Sequence, residues 1–111
     1  MAYFPKQGDI IYLDFNPQAG HEQAGRRPAL IISNSSYHKY TNGLAMVCPI
    51  TNNQNPFPLH VHLDQRTKTT GVIMCEQVKA LDMNVRNAVF EETLPNELLR
   101  EVLERVLLSI E

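Results

Sequence analysis

Tryptophan is missing from this 111-residue chain, and the other aromatics are few: four phenylalanines and four tyrosines. Cysteine is scarce as well. Cys48 and Cys75 each sit inside an apolar segment, so buried free thiols are the expected state, with a disulfide the alternative. No apolar run is long enough to span a bilayer, which excludes a membrane helix. The opening Met-Ala-Tyr-Phe-Pro-Lys lacks the charged-then-apolar layout of a secretory signal, so the expected location is the cytoplasm. Neither sign of charge dominates: the net charge is −2. That argues against a protein that coats nucleic acid indiscriminately.

What is present fits one folded unit over residues 1–111. The hydrophobic content of 43% is ordinary for a globular chain. A chain of this length buries roughly two thirds of the surface its unfolded form exposes. The small net charge hides an asymmetry. Residues 91–111 carry six acids against Arg100 and Arg105, giving −4, which leaves +2 for residues 1–90. A local basic groove can therefore still concentrate an anionic ligand.

Six or seven short strands and one helix are predicted. "DIIYLDF" (9–15) is β-rich and ends in the Asn16-Pro17 turn signal. A polar loop over 16–27 leads to an apolar strand at 28–33. Residues 34–43 read as a loop with one helical turn, and "LAMVCPI" (44–50) as a central strand. "LHVHL" alternates, placing Leu59, Val61 and Leu63 on the core face and His60 and His62 on the other. Residues 64–71 form another loop, 72–83 two strands or one bent one, and 86–92 a short last strand. From Pro95 to Ile110, Leu98, Leu99, Val102, Leu103, Val106, Leu107 and Ile110 form one helical stripe. Leu108 falls off the stripe. Arg100–Glu104 and Glu101–Arg105 sit at pairing distance, and Thr93 is a candidate cap. The pattern describes a small, strongly bent β-barrel with a C-terminal helix.

The candidate chemistry centres on "GHEQAGRRP" (20–28). Two surface cations on a solvated loop are the plain alternative. The nearby Gly20, His21, Glu22, Gln23 and Gly25 favour a ligand, because glycines let it approach the backbone. Arginine offers a planar fork for phosphate oxygens and holds charge rather than moving protons. Arg27 precedes proline, which biases it to an extended backbone and fixes its direction. Thr51 ends the central strand, where its hydroxyl would be held at the barrel rim or simply start a turn. Asn52 and Asn53 offer amides to base edges and Phe57 a stacking face, although a polar turn with Phe57 buried reads equally well. His60 and His62 share a strand face, but no third ligand stands at a metal-like spacing. No metal or cofactor is expected.

Together, "GDIIYLDFNPQAGHEQAGRRPALIIS", "VCPITN" and "TTGVIMCEQVKALDM", followed by a terminal helix, resemble the MazF/PemK family of bacterial toxins. The resemblance covers almost the whole chain, and Gly-His-Glu-Gln-x-Gly-x-Arg-Pro is its specific part. It implies an SH3-like barrel and a homodimer that cuts single-stranded RNA at short sequences without a metal. It also implies a cognate antitoxin with an acidic, partly disordered C-terminal segment as inhibitor.

Residue by residue, the resemblance places the catalytic arginine at Arg27 and the catalytic threonine at Thr51. Glu22 and Gln23 match the loop's acidic and amide positions, and Glu76 and Gln77 an acid–Gln pair at the RNA groove, with Lys79 beside them. Arg26 falls at a free position and has at most an electrostatic role. Either Glu22 or His21 could accept the 2′-hydroxyl proton. The PemK/Kid branch uses a His–Arg–Asp set instead. Here His21 matches it and Glu76 replaces its acid, but Met74 stands where that arginine belongs, which favours the Arg27/Thr51 arrangement. Two rival classes share the barrel. A gyrase-poisoning toxin acts by protein binding through the C-terminal helix. A non-enzymatic adaptor wants an exposed aromatic groove, which the dispersed aromatics do not supply.

Overall fold

The computed structural model describes residues 3–15, 25–52 and 58–110. In chain order the elements are β1 (Asp9–Asp14), β2 (Arg26–Ile31), α1 (Ser35–Tyr40), β3 (Leu44–Thr51), β4 (His60–His62), β5 (Val72–Met74), β6 (Lys79–Asp82), β7 (Val89–Thr93) and α2 (Asn96–Leu108). The strands pair in the order β4-β5-β3-β2-β1-β7, with β6 added beside β3. Every pairing is antiparallel. The path ends at β4 and β7, so the sheet is bent like a small barrel but its ladder does not close.

The bend is built into β3. Along one edge Leu44–Val47 pair with β6 and Ile50–Thr51 with β5, while Ala29–Ile31 of β2 occupy the other edge. Pro49, which has no amide to give a ladder, sits where the first edge changes partner. Both faces of the sheet are apolar. Ile10, Leu30, Cys48, Ile50, Val61 and Ile73 face α2, and the alternate residues Ile11, Leu13, Ala29, Ile31 and Val47 form a second cluster with Phe15, Leu81 and Met83. Two buried faces explain why these strands read as continuous apolar runs.

α2 packs on the first cluster through Leu98, Val102 and Val106. Val102 is wholly inaccessible, and burying such a side chain stabilises the fold by about 1.5–3 kcal/mol. The Glu101–Arg105 pair forms, at 3.0 Å. Leu107 and Ile110, expected in the apolar stripe, are exposed together with Leu108, because the packing surface ends before them. Thr93 does not cap α2. It ends β7 opposite Asp9, and the cap position falls to Pro95 with no side-chain bond.

Two other expectations change. α1 is a helix of six residues, its start closed by the Asn34 side chain, which accepts from the Tyr37 amide at 3.0 Å. The predicted loop over 16–27 stops short of the arginines. Asp14 and Leu13 pair with Arg26 and Arg27, which extends β2 past Pro28. Residues 72–83 resolve into two strands, β5 and β6, separated by a turn at Cys75-Glu76.

Candidate functional site

Arg27 and Thr51 line the same depression. The β2–β3 ladder ends with Ala29 opposite Pro49; carried on in the same register, it would bring position 27 opposite position 51. Residues opposite each other leave their strands on the same face. The depression measures about 310 Å³ and is also lined by Asn52, Lys68, Thr69 and Thr70. Two cations, hydroxyls and an amide around one opening suit an anionic, hydrogen-bonding ligand such as a phosphodiester.

Thr51 is fixed from below. It pairs with Val72, and Gly71 passes so close that a Cβ there would lie 2.3 Å from the Thr51 carbonyl oxygen. Gly71 also has φ +112°, a backbone that favours glycine. The loop that supplies Lys68–Thr70 is tied at several points. The Thr70 hydroxyl donates to Asn52 Oδ1 at 3.1 Å. The Thr67 hydroxyl donates to the Thr69 carbonyl at 2.7 Å, and Arg66 grips Asp64 at 2.8 Å and Glu97 of α2 at 3.4 Å. Lys68, Thr69 and Thr70 carry no role in the sequence reading. A polar loop with one lysine gives no local sign that it closes over a strand end.

The other sequence candidates divide. Arg26 is half of an ion pair with Asp14 at 3.3 Å. The Asn87 side-chain amide and then Arg26 hold the Asp14 carboxyl below its usual range. Glu76 meets His60 Nε2 at 3.0 Å, while its Oε1 is buried with no hydrogen-bond partner. The Gln77 side-chain amide lies 3.8 Å from the Met74 sulfur, and Lys79 stands opposite Val47 on β6. None of Arg26, Glu76, Gln77 and Lys79 lines the Arg27–Thr51 depression. His21, Glu22, Gln23, Asn53 and Phe57 lie outside the described residues.

Cys48 and Cys75 are free and buried, as expected. Burial pushes both thiols up, Cys75 to about 12, so neither is a nucleophile near neutrality. Among the described residues no cluster of three or more His, Cys, Asp or Glu side chains is placed to hold a metal, and no helix is long and apolar enough to cross a membrane. A larger concavity of about 530 Å³ lies between the N-terminal segment and α1. It shares no residue with the Arg27 depression and contains none of the candidate residues.

Comparison with known proteins bears on family and fold. Residues 6–110 match the family described as PemK-like, MazF-like toxin of type II toxin-antitoxin system. The endoribonuclease toxin MazF of Escherichia coli K12 is 34% identical over 104 residues, covering 94% of this chain and 92% of that protein. The endoribonuclease PemK of Escherichia coli is 35% identical, covering 91% of this chain and 78% of that protein. The crystal structure of MazF from Deinococcus radiodurans superposes with a TM-score of 0.88 at 37% identity, covering 97% of this chain and 99% of that one. MazF in a MazE–MazF complex of the same organism gives 0.82 at 37% identity, over 98% and 99% of the two chains. With its mainly antiparallel sheet and C-terminal helix, the chain belongs to the PemK-like, MazF-like toxin family of type II toxin–antitoxin systems.

Proposed function

We propose that this chain is a sequence-specific endoribonuclease that cuts single-stranded RNA, mRNA included, and so inhibits translation. The observation that carries the reading is that Arg27 and Thr51 line one cation-bearing depression. The ribose 2′-hydroxyl attacks the adjacent phosphate, forming a 2′,3′-cyclic phosphate and releasing a 5′-hydroxyl. The protein aligns these groups, accepts the 2′ proton and stabilises the extra negative charge on phosphorus. Arg27 supplies that charge stabilisation and Thr51 a hydrogen bond to the phosphate. Glu22 or His21 takes the proton. The reaction needs no metal in this scheme, because the nucleophile is part of the substrate and the counter-charge is an arginine. Support for the activity also comes from the relatives named endoribonuclease.

The same reading makes residues 1–111 one toxin domain that works as a homodimer in the bacterial cytoplasm. Its partner is an antitoxin whose acidic segment occupies the RNA site, in line with the neighbouring MazE–MazF complexes. The test is incubation with a mixed RNA in excess chelator, followed by mapping of the ends. Cyclic-phosphate and 5′-hydroxyl termini at a short recurrent sequence are expected. Strict Mg²⁺ dependence, or 5′-phosphate products, would sink the scheme.

A further inference from the structure

Glu92 and Glu91 are consecutive residues of β7 and would ordinarily point to opposite faces. The β1–β7 ladder prevents this. Ile10 pairs with Glu92 and Ile11 with Phe90, which leaves Glu91 as an extra residue in a bulge. Bulges re-aim side chains, and here both carboxylates meet the loop that lines the Arg27–Thr51 depression. Glu92 Oε1 accepts from the Lys68 amide at 3.0 Å, and Oε2 accepts from the Thr69 amide and hydroxyl, both at 2.7 Å. Glu91 lies 3.9 Å from the Lys68 ammonium.

We infer that Glu92 is a positioning residue of the RNA site: it holds the Lys68–Thr70 loop closed over the end of β3, so that Lys68 lines the same opening as Arg27. The inference rests on the endoribonuclease reading above. Three donors on one carboxyl, with no acceptor facing it among these contacts, favour its ionised form. Burial pushes the Glu92 carboxyl up, but the bonds from Thr69 and Lys68 outweigh it and keep the group below its usual range. The two backbone amides are used by Glu92 and do not face a ligand. What the loop offers the opening is the Lys68 cation and the Thr70 hydroxyl, the latter already bonded to Asn52. Glu91 is a weaker contact, since Lys68 is largely exposed and such pairs contribute little.

The experiment combines amide exchange with steady-state cleavage of a single-stranded RNA. In Glu92→Ala the Lys68 and Thr69 amides should lose protection while the amides of β2 and β3 keep theirs. KM should rise about tenfold, the equivalent of one charge-assisted hydrogen bond, with kcat changed far less. Glu92→Gln retains one acceptor oxygen and should fall between wild type and Glu92→Ala; it decides the matter if the alanine variant does not fold. Glu91→Ala should stay near wild type. Because Glu92 acts through the loop, its loss should add little to Lys68→Ala. Unchanged protection at Lys68 and Thr69, or lost protection with KM unaltered, would overturn the role given to Glu92. A wild-type protein that cuts no RNA overturns the endoribonuclease reading instead, and the exchange data separate the two failures.

Discussion

The Arg26 guanidinium reaches the Asp14 carboxylate at 3.3 Å, while its chain neighbour Arg27 leaves β2 from the opposite face and lines the depression with Thr51. Strand alternation thus separates two adjacent cations into different tasks. Arg26 belongs to an exposed pair at the β1–β2 end, and Arg27 to the depression. Arg27→Ala should leave the fold intact and lower the cleavage rate by about 10²–10³-fold, the usual loss for a donor aimed at transition-state charge. Arg26→Ala should cost far less. Single-turnover cleavage by the two purified variants checks both, and a folded Arg27→Ala protein with near-normal rate would remove the central role assigned to it.

Gly71 gives a second test that touches no reacting group. Its φ of +112° disfavours any side chain, and a Cβ would fall 2.3 Å from the Thr51 carbonyl oxygen and 3.0 Å from Asn52 Oδ1. Gly71→Ala should therefore destabilise the protein by about 1–3 kcal/mol, the scale of a residue forced into unfavourable backbone space. Relief of the contact must shift the end of β3, so cleavage should fall even at temperatures where the variant is folded. Denaturant unfolding and cleavage assays on the same preparation check the two effects. Full activity in the variant would show that the position of Thr51 is unimportant.

The central strands and helix α2 were legible because their burial repeats locally. Continuous runs at 29–32 and 44–50 are what two buried sheet faces require, and Leu98, Val102 and Val106 recur at helical spacing. Leu107 and Ile110 keep the same spacing yet are exposed, since periodicity does not show where the opposing surface stops. The strand state of the arginines is not legible locally, because it depends on the partners Leu13 and Asp14, across a segment the local pattern cannot bridge. Arg27 and Thr51 are candidates that the motifs around them single out. No local signal singles out Lys68–Thr70 and Glu92, because their contact depends on a bulge at Glu91 and on distant segments brought together by the fold.

His38 should make the fold sensitive to mild acid. It is buried within α1, and its Nε2 is 2.7 Å from the Ser33 hydroxyl. Burial lowers its pKa; the Pro5 carbonyl and the Asp9 charge oppose that without reversing it. The unfolded chain therefore takes up the proton first. Stability is fully present above the ordinary histidine value of about 6.5 and is lost as pH falls below it toward the lowered folded value. Denaturant midpoints measured from pH 7.5 down to pH 5.5 should decline, and His38→Gln should flatten that decline. Identical slopes in the two proteins would assign the sensitivity elsewhere.

Met74 is the position at which a related branch carries an arginine, and its surroundings decide what an arginine would do here. The side chain is 3% exposed, pairs across the sheet with His60, and lies against the Gln77 amide at 3.8 Å. Glu76, the acid available to balance a new cation, already meets His60 at 3.0 Å. Met74→Arg would either bury an unpaired guanidinium, which is costly, or take Glu76 from His60. The side chain of Met74 does not line the Arg27–Thr51 depression, so the new charge would have no phosphate to stabilise there. The variant should melt lower than wild type and cut RNA at an equal or lower rate, with any change in preferred sequence arising from a displaced Glu76 or Gln77. Thermal melting and end-mapped cleavage read both outcomes. A folded Met74→Arg protein that cuts the same sites at least about tenfold faster would move the chemistry from Arg27 and Thr51 to the β5 turn, since only a cation placed at the transition state yields such a gain.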